Sequence, residues 1–164
     1  MKIYYIEDSY IWYLKQYDKN VPNNKKESRP YVGIALDVNG IKYYVPFTSP
    51  KDKYRKMNNG KDFRKIQGGL YGGLNFNNMI LVVDEALMLV DINNEPDIQY
   101  RRLLQNQYVC IKKDREAIKK AAKELYMLFF TVDEKLSKYD LRVKNRCCQF
   151  DILEYAMSMY QQGR

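Results

Sequence analysis

The sequence predicts an α+β fold in which a compact, curved antiparallel sheet is followed by packed helices. Residues before Glu95-Pro96 are rich in Tyr, Val, Ile and Gly, whereas those after are rich in Leu, Ala, Lys and Glu. Strand-like and helix-like segments are therefore segregated, not alternating as βαβ units around a parallel sheet require. The strongest local signal is a hairpin: Tyr31–Val38 and Ile41–Phe47 are β-rich runs around Asn39-Gly40, a dipeptide that tolerates positive φ at both central turn positions. With 164 residues and no internal repeat or low-complexity tract, one domain spanning 1–164 is expected. That length closes a core without disulfides or metal.

In chain order, Lys2–Glu7 reads as a strand, and Ser9 as the cap of a short helix to about Tyr17 with Ile11, Leu14 and Tyr17 on one face. Asp18–Pro30 is polar, holds Pro22 and Pro30, and reads as a loop entering the hairpin. Pro46 removes a ladder donor, which places the second hairpin strand at an edge or end near that residue. Further short strands are predicted at Phe63–Ile66, Ile80–Val83 and Leu87–Asp91. After Pro96, Tyr100, Leu103, Leu104, Gln107 and Ile111 share a helical face, with Asp97 at its N-terminus. Ile118, Ala121, Ala122, Leu125 and Phe129 form a second stripe capped by Asp114, and Phe150, Leu153, Met157 and Tyr160 a third within 149–160, whose last residues should fray. Such stripes are expected to face the core.

Twenty-eight Lys and Arg against 20 Asp and Glu leave a net charge of +8, which favours polyanionic partners, nucleic acid first. There is no histidine, so Ser-His-Asp triads, paired-histidine ribonuclease chemistry and His-ligated zinc are excluded. Cys110, Cys147 and Cys148 lack C-x-x-C spacing and fit packed thiols in a reducing, cytoplasmic setting. No secretion signal is evident, and the most apolar run, Met79–Val90, is broken by Asp84 and Glu85 and is too short for a membrane span. Asp84 and Glu85 on a strand would alternate faces, so no acid–base pair or metal site forms there; no metal or cofactor is implied.

After the hairpin comes Phe47-Thr-Ser-Pro-Lys51-Asp-Lys53-Tyr54-Arg55-Lys56. Thr48 and Ser49 offer hydroxyls to phosphate oxygens, and Lys51, Lys53, Arg55 and Lys56 offer charge. Arg29 starts the strand that pairs with the one ending at Phe47, so hairpin registration brings its guanidinium beside Thr48, Ser49 and Lys51 as an anion pocket. The alternative is a solvated basic loop with Arg29 paired to Asp52 or Glu27. Gly68-Gly-Leu-Tyr-Gly-Gly73 lacks P-loop spacing and fits a bent or bulged connection. Sixteen tyrosines interleaved with cations suit stacking of unpaired bases, with Tyr31, Tyr54 and at most one of Tyr43 and Tyr44 on an RNA-facing surface.

Lys2-Ile-Tyr-Tyr-Ile6, Tyr10-Ile-Trp-Tyr-Leu-Lys15, Val21-Pro22, Val32-Gly-Ile-Ala-Leu36, Pro46-Phe-Thr-Ser-Pro-Lys51, Gly73-Leu-Asn-Phe-Asn-Asn-Met79, Tyr100-Arg-Arg-Leu-Leu-Gln105 and Cys148-Gln-Phe-Asp-Ile-Leu-Glu154 together resemble the ToxN/AbiQ family of type III toxin–antitoxin toxins. The resemblance implies a MazF/Kid-like, SH3-like barrel sheet with surrounding helices and a metal-independent, sequence-specific endoribonuclease of the cytoplasm, active in phage defence on cellular mRNA. It implies inhibition by a repeated pseudoknot antitoxin RNA, which the toxin processes and retains in a closed protein–RNA assembly. Thr48, Ser49 and Lys51 match the family's active-site element, and Arg29 stands where relatives often have lysine. Some relatives carry a tyrosine before that cation; residues 22–28 here hold none.

RNA supplies its own nucleophile, so the expected reaction leaves a 2′,3′-cyclic phosphate and a 5′-hydroxyl. Thr48 and Ser49 would orient the phosphate while Lys51 and Arg29 stabilise charge, and Lys51 is also a candidate for proton transfer. The competing readings are a non-catalytic RNA-binding module and a protein-interaction domain with a tyrosine-rich interface.

Overall fold

The computed structural model describes residues 1–163; Arg164, the last of the residues expected to fray, lies outside them. The chain runs β1 (Lys2–Ile6), α1 (Asp8–Tyr17), β2 (Tyr31–Val38), β3 (Ile41–Thr48), α2 (Asp52–Lys56), β4 (Phe63–Lys65), β5 (Gly73–Asn75), β6 (Ile80–Leu81), β7 (Leu87–Leu89), α3 (Ile98–Lys113), α4 (Arg115–Phe130), α5 (Lys138–Asn145) and α6 (Phe150–Gln162). The sheet is antiparallel and open, in the order β4-β5-β3-β2-β1-β7, with β6 also on β3. The α+β segregation is as expected, with strands before Pro96 and long helices after it. Among the described residues no helix is long and apolar enough to cross a membrane.

The β2–β3 hairpin forms because Asn39 (φ 52°) and Gly40 (φ 85°) take the left-handed region, and Asp37 Oδ1 accepts from Gly40 N at 2.9 Å. β3 is not an edge strand. It pairs with β2 on one side, and on the other with β6 at Tyr43 and Tyr44 and with β5 at Phe47 and Thr48. Pro46 falls where β3 changes neighbour, and the adjacent Phe47 N–H points the opposite way, to Pro30 O at 3.0 Å. The missing proline donor thus costs no ladder bond.

Several local expectations are corrected. Glu7, not Ser9, occupies the N-cap position of α1, with no side-chain bond to the helix, and Ser9 lies inside the helix with its hydroxyl on Glu7 Oε2 at 3.4 Å. Asp97 does cap α3, accepting from Gln99 N at 2.8 Å and Tyr100 N at 3.0 Å. Asp114 occupies the cap position of α4, but its carboxylate goes to Arg64 at 3.0 Å instead of to the helix. Asp84 and Glu85 sit on a 3₁₀ turn between β6 and β7, not on a strand, and Asp84 pairs with Lys42 at 3.0 Å. The predicted strands at 63–66, 80–83 and 87–91 form in shortened versions, whereas α2, β5 and α5 have no counterpart in the sequence reading. These missed elements are short, and residue periodicity says little over so few positions.

Buried residues of α1, the sheet, α3, α4, α5 and α6 form one hydrophobic cluster, with Tyr10, Leu14, Tyr31, Tyr43, Phe76, Ile118, Leu125, Phe150 and Leu153 among its members. Tyr43 and Tyr44 do face opposite sides of β3, but both are buried, so neither lies on a nucleic-acid surface. Tyr43 Oη and Tyr126 Oη both donate to Glu154 Oε1, at 2.6 and 2.9 Å, which ties β3, α4 and α6 through one carboxylate. Cys147 and Cys148 are buried thiols, and burial pushes the Cys147 thiol up to about 12. The loop before β2 is anchored. Asp18 Oδ2 accepts from Gln149 N at 2.7 Å, and Asn24 Nδ2 donates to Ile6 O at 2.7 Å and Asp8 Oδ1 at 2.6 Å. That anchoring carries the chain to Arg29 at a defined place.

Candidate active site

The pairing that ends the hairpin builds the site. Tyr31 opposes Pro46 and Phe47 N bonds Pro30 O, so the start of β2 lies beside the end of β3, as hairpin registration predicts. A cavity of about 260 Å³ opens there. The loop before β2 contributes Lys25, Ser28, Arg29 and Pro30, the end of β3 contributes Phe47, Thr48 and Ser49, and α3 contributes Tyr100, Leu103 and Gln107. Two of these residues are cations and none is a carboxylate, so the cavity is electrostatically suited to an anion.

Arg29 Nε donates to Asn23 O at 2.6 Å, which orients the guanidinium. Among the described residues it forms no ion pair with Asp52 or Glu27; Glu27 instead accepts from Asp8 N at 2.9 Å. Ser49 is exposed at the cavity, whereas Thr48 is buried. Thr48 Oγ1 donates to Tyr54 Oη at 2.8 Å and lies 3.1 Å from Ser49 O. Lys51 is the exposed N-cap residue of α2, beside the cavity lining and not in it, with Nζ 5.9 Å from the Tyr54 ring centroid. The structure thus brings Arg29, Thr48 and Ser49 together and sets Lys51 two residues further along.

Lys53, Arg55 and Lys56 are exposed on α2, available to a phosphate backbone. The expectation that Tyr31 and Tyr54 stack on bases is corrected: they are 0% and 5% exposed. Tyr54 works from inside instead, packing on Phe63 at 4.9 Å and holding Thr48 through its hydroxyl. A five-residue helix whose single apolar side chain is needed by the core turns that ring inward.

The glycine-rich segment positions this element. Gly72 has φ 85°, and a Cβ there would lie 2.0 Å from Thr48 O and 3.2 Å from Pro50 N. Only a residue without a side chain lets the 67–73 segment lie this close to the Thr48–Pro50 backbone. The sequence reading identified a bent connection there but not its contact with Thr48.

Lys25, Ser28, Tyr100, Leu103 and Gln107 were not anticipated as site residues. Tyr100, Leu103 and Gln107 belong to the stripe assigned to the core, and only part of that stripe is core. The available signal was Gln107, an amide on an otherwise apolar helical face. Burial, then the Tyr5 hydroxyl 3.4 Å away, raises the Tyr100 phenol well above its ordinary value, so it stays protonated at neutral pH.

Residues 2–158 match the family model described as toxin ToxN of type III toxin–antitoxin systems. The chain is 34% identical over 166 residues to the endoribonuclease ToxN of Bacillus thuringiensis subsp. kurstaki, covering 98% of this chain and 84% of that one. It is 33% identical over 131 residues to the endoribonuclease ToxN of Pectobacterium atrosepticum, covering 72% and 75%. A solved structure described in terms of selective toxin inhibition by a non-coding RNA pseudoknot superposes with a TM-score of 0.84 at 31% identity, covering 98% of this chain and 97% of that one. With nearly the whole chain matched in both sequence and fold, this protein belongs to the ToxN family of type III toxin–antitoxin toxins.

Proposed function

We propose that this chain is a sequence-specific, metal-independent endoribonuclease toxin that cuts cellular mRNA at the Arg29–Ser49 cavity. Its relatives are named endoribonucleases. The observation that carries the assignment of the site is the convergence of Arg29, Thr48 and Ser49 on a cavity with no acidic lining residue. A divalent cation would meet cations and neutral groups there, which supports chemistry that needs none.

In this reaction the RNA 2′-oxygen forms a bond to phosphorus as the bond to the 5′-oxygen breaks. The 2′-hydroxyl proton leaves, the 5′-oxygen gains one, and the products are a 2′,3′-cyclic phosphate and a 5′-hydroxyl. Ser49 Oγ donates to a non-bridging oxygen. Thr48 can do so as well once Tyr54 Oη becomes the donor of their shared hydrogen bond. Arg29, held by Asn23 O, and Lys51 from the N-cap of α2 offset charge on the phosphorane.

The inhibitor we propose is a folded, repeated antitoxin RNA, which the toxin trims and retains in a closed assembly. A pseudoknot RNA is the inhibitor in the solved relative's description. This chain has a surface suited to one: residues 98–123 hold eight Lys and Arg against Asp114 and Glu116, six of the chain's eight net positive charges. Arg115, Lys119, Lys120 and Lys123 line a groove of about 670 Å³ between α4 and residues 34–37 of β2. That groove lies at the opposite end of β2 from the cleavage cavity, roughly 16 Å along the strand from Tyr31 to Leu36. A folded RNA spans such a distance, whereas one phosphodiester does not.

The test is to incubate nucleic-acid-free protein with defined RNA in excess EDTA and to sequence the ends, comparing wild type with Ser49→Ala and Lys51→Ala. Discrete cuts ending in cyclic phosphate and lost in Ser49→Ala are expected. Equal cleavage by both variants would remove the site assignment. RNA bound but never cut would replace the nuclease reading with that of a binding module.

A further inference from the structure

We propose that Gln107 determines part of the cleavage specificity by accepting a hydrogen bond from the exocyclic amino group of one nucleobase next to the scissile phosphate. This rests on the reading of the Arg29–Ser49 cavity as the cleavage site. Tyr100, Leu103 and Gln107 recur at i, i+3 and i+7 on α3 and form one wall of that cavity, opposite the phosphate-facing residues of the hairpin. Gln107 is 2% exposed. Its Nε2 donates to Tyr71 O at 2.9 Å, so the amide orientation is set by a backbone carbonyl that can only accept.

The other half of the amide is unsatisfied. Gln107 Oε1 is buried and has no donor among the described residues. Buried carbonyls of this kind are nearly always paired, so one belonging to a residue that lines a cavity calls for a donor on what the cavity holds. One Nε2 hydrogen is taken by Tyr71 O, and the group of this amide left without a partner is the Oε1 acceptor. An acceptor set against the purine 6- or pyrimidine 4-position admits adenine N6 or cytosine N4 and faces guanine O6 or uracil O4 acceptor to acceptor; guanine N2 and the ring N–H groups of guanine and uracil lie elsewhere on the base edge. The preference at that position is therefore for an amino over a keto group. The Tyr100 ring and Leu103 supply apolar surface for the base plane, and the Tyr5 hydroxyl steadies Tyr100.

Gln107 also reaches the reacting element indirectly. Tyr71 precedes Gly72, whose backbone packs on Thr48 O. Loss of this amide could therefore slow cleavage of every RNA by loosening the segment, and the test has to separate that role from base reading.

The test uses short RNAs cut by the wild-type chain, with each adenosine around the cut replaced singly by inosine and each cytidine by uridine. Each exchange turns the amino group at the 6- or 4-position into a carbonyl and the neighbouring ring nitrogen from acceptor to donor. The expected result is a fall in kcat/KM of at least about 10-fold at one flanking nucleotide. In Gln107→Met, cleavage of the amino-bearing RNA should fall to the level of its keto counterpart, bringing their ratio to about 1. A merely structural role lowers both RNAs together and leaves the ratio intact, which overturns the proposal. Cleavage by wild type with no amino-to-keto preference at any flanking nucleotide also overturns it, and that arm needs no variant to fold. Failure of wild type to cut any RNA is a different result and overturns the functional reading itself.

Discussion

Replacing Gly72 by alanine puts the relation between the glycine segment and the Thr48–Ser49 element to a quantitative test. The substitution carries two separate costs. At φ 85° an L-residue pays about 1–2 kcal/mol of backbone strain, partly offset by the lower entropy of its unfolded chain. The new Cβ would also lie 2.0 Å from Thr48 O. That atom is backbone and cannot rotate away, so an overpacking cost of about 1–3 kcal/mol adds to the first. The total of about 2–5 kcal/mol corresponds to a fall in Tm of roughly 5–15 °C for a chain of this size. Gly68→Ala is the matched control, because Gly68 also has positive φ (62°) but nothing within 4 Å of its would-be Cβ. It should lose only the backbone share, roughly 2–6 °C. If Gly72→Ala folds by pushing Thr48 aside, an ångström of displacement at Ser49 should cost about 100-fold in cleavage, while Gly68→Ala stays active. The assays are thermal melting of both variants and cleavage of one defined RNA. Equal Tm values and equal cleavage in the two variants would refute the argument that Gly72 sets the position of the reacting element.

Three further outcomes follow from other parts of the structure. Glu154→Leu strands the Tyr43 and Tyr126 hydroxyls and should cost about 2–4 kcal/mol in chemical denaturation, whereas Glu154→Gln, which keeps an acceptor, should cost less. Seven tyrosines, at 10, 13, 31, 43, 44, 100 and 126, have phenols raised chiefly by burial, Tyr13 and Tyr126 to about 12. A raised folded pKa means that the stabilisation is complete below the unfolded value near 10 and is lost as pH rises through the folded values. Tyrosinate absorbance of these seven should therefore appear in one cooperative step together with loss of helix signal, and their independent titration at the ordinary value would contradict their burial. Lys119→Glu with Lys123→Glu should weaken binding of folded antitoxin RNA and flatten the slope of log K against log salt by about 0.9 for each phosphate that is no longer neutralised; an unchanged slope would remove the α4 groove as an RNA surface.

The corrections share a cause. Asp114 stands where a helix cap belongs, yet Arg64, 50 residues away in sequence, takes its carboxylate. Pro46 reads as marking a strand edge or end, and it falls near the end of a central strand, where β5 and β6 divide one side of β3 between them. Tyr54 reads as a stacking residue within a basic run, yet Phe63 and Thr48 hold it inside. Each outcome depends on a partner that the local sequence does not specify.

What the sequence by itself determined was the local and the chemical: the hairpin, from the φ tolerance of Asn39-Gly40; α3, α4 and α6, from apolar periodicity; a net charge of +8 that suits a polyanion; and the candidates Arg29, Thr48, Ser49 and Lys51, from hydroxyls and cations at the open end of one hairpin. Only the tertiary structure decided that part of a helical stripe forms the wall of a cavity and not core. Gln107 joins the site through Tyr71, 36 residues earlier, and Gly72 joins it through its contact with Thr48. Periodicity says that a face is turned inward; whether that face meets a packed core or an open cavity depends on how the β2–β3 hairpin, the glycine segment and α3 fill the space between them.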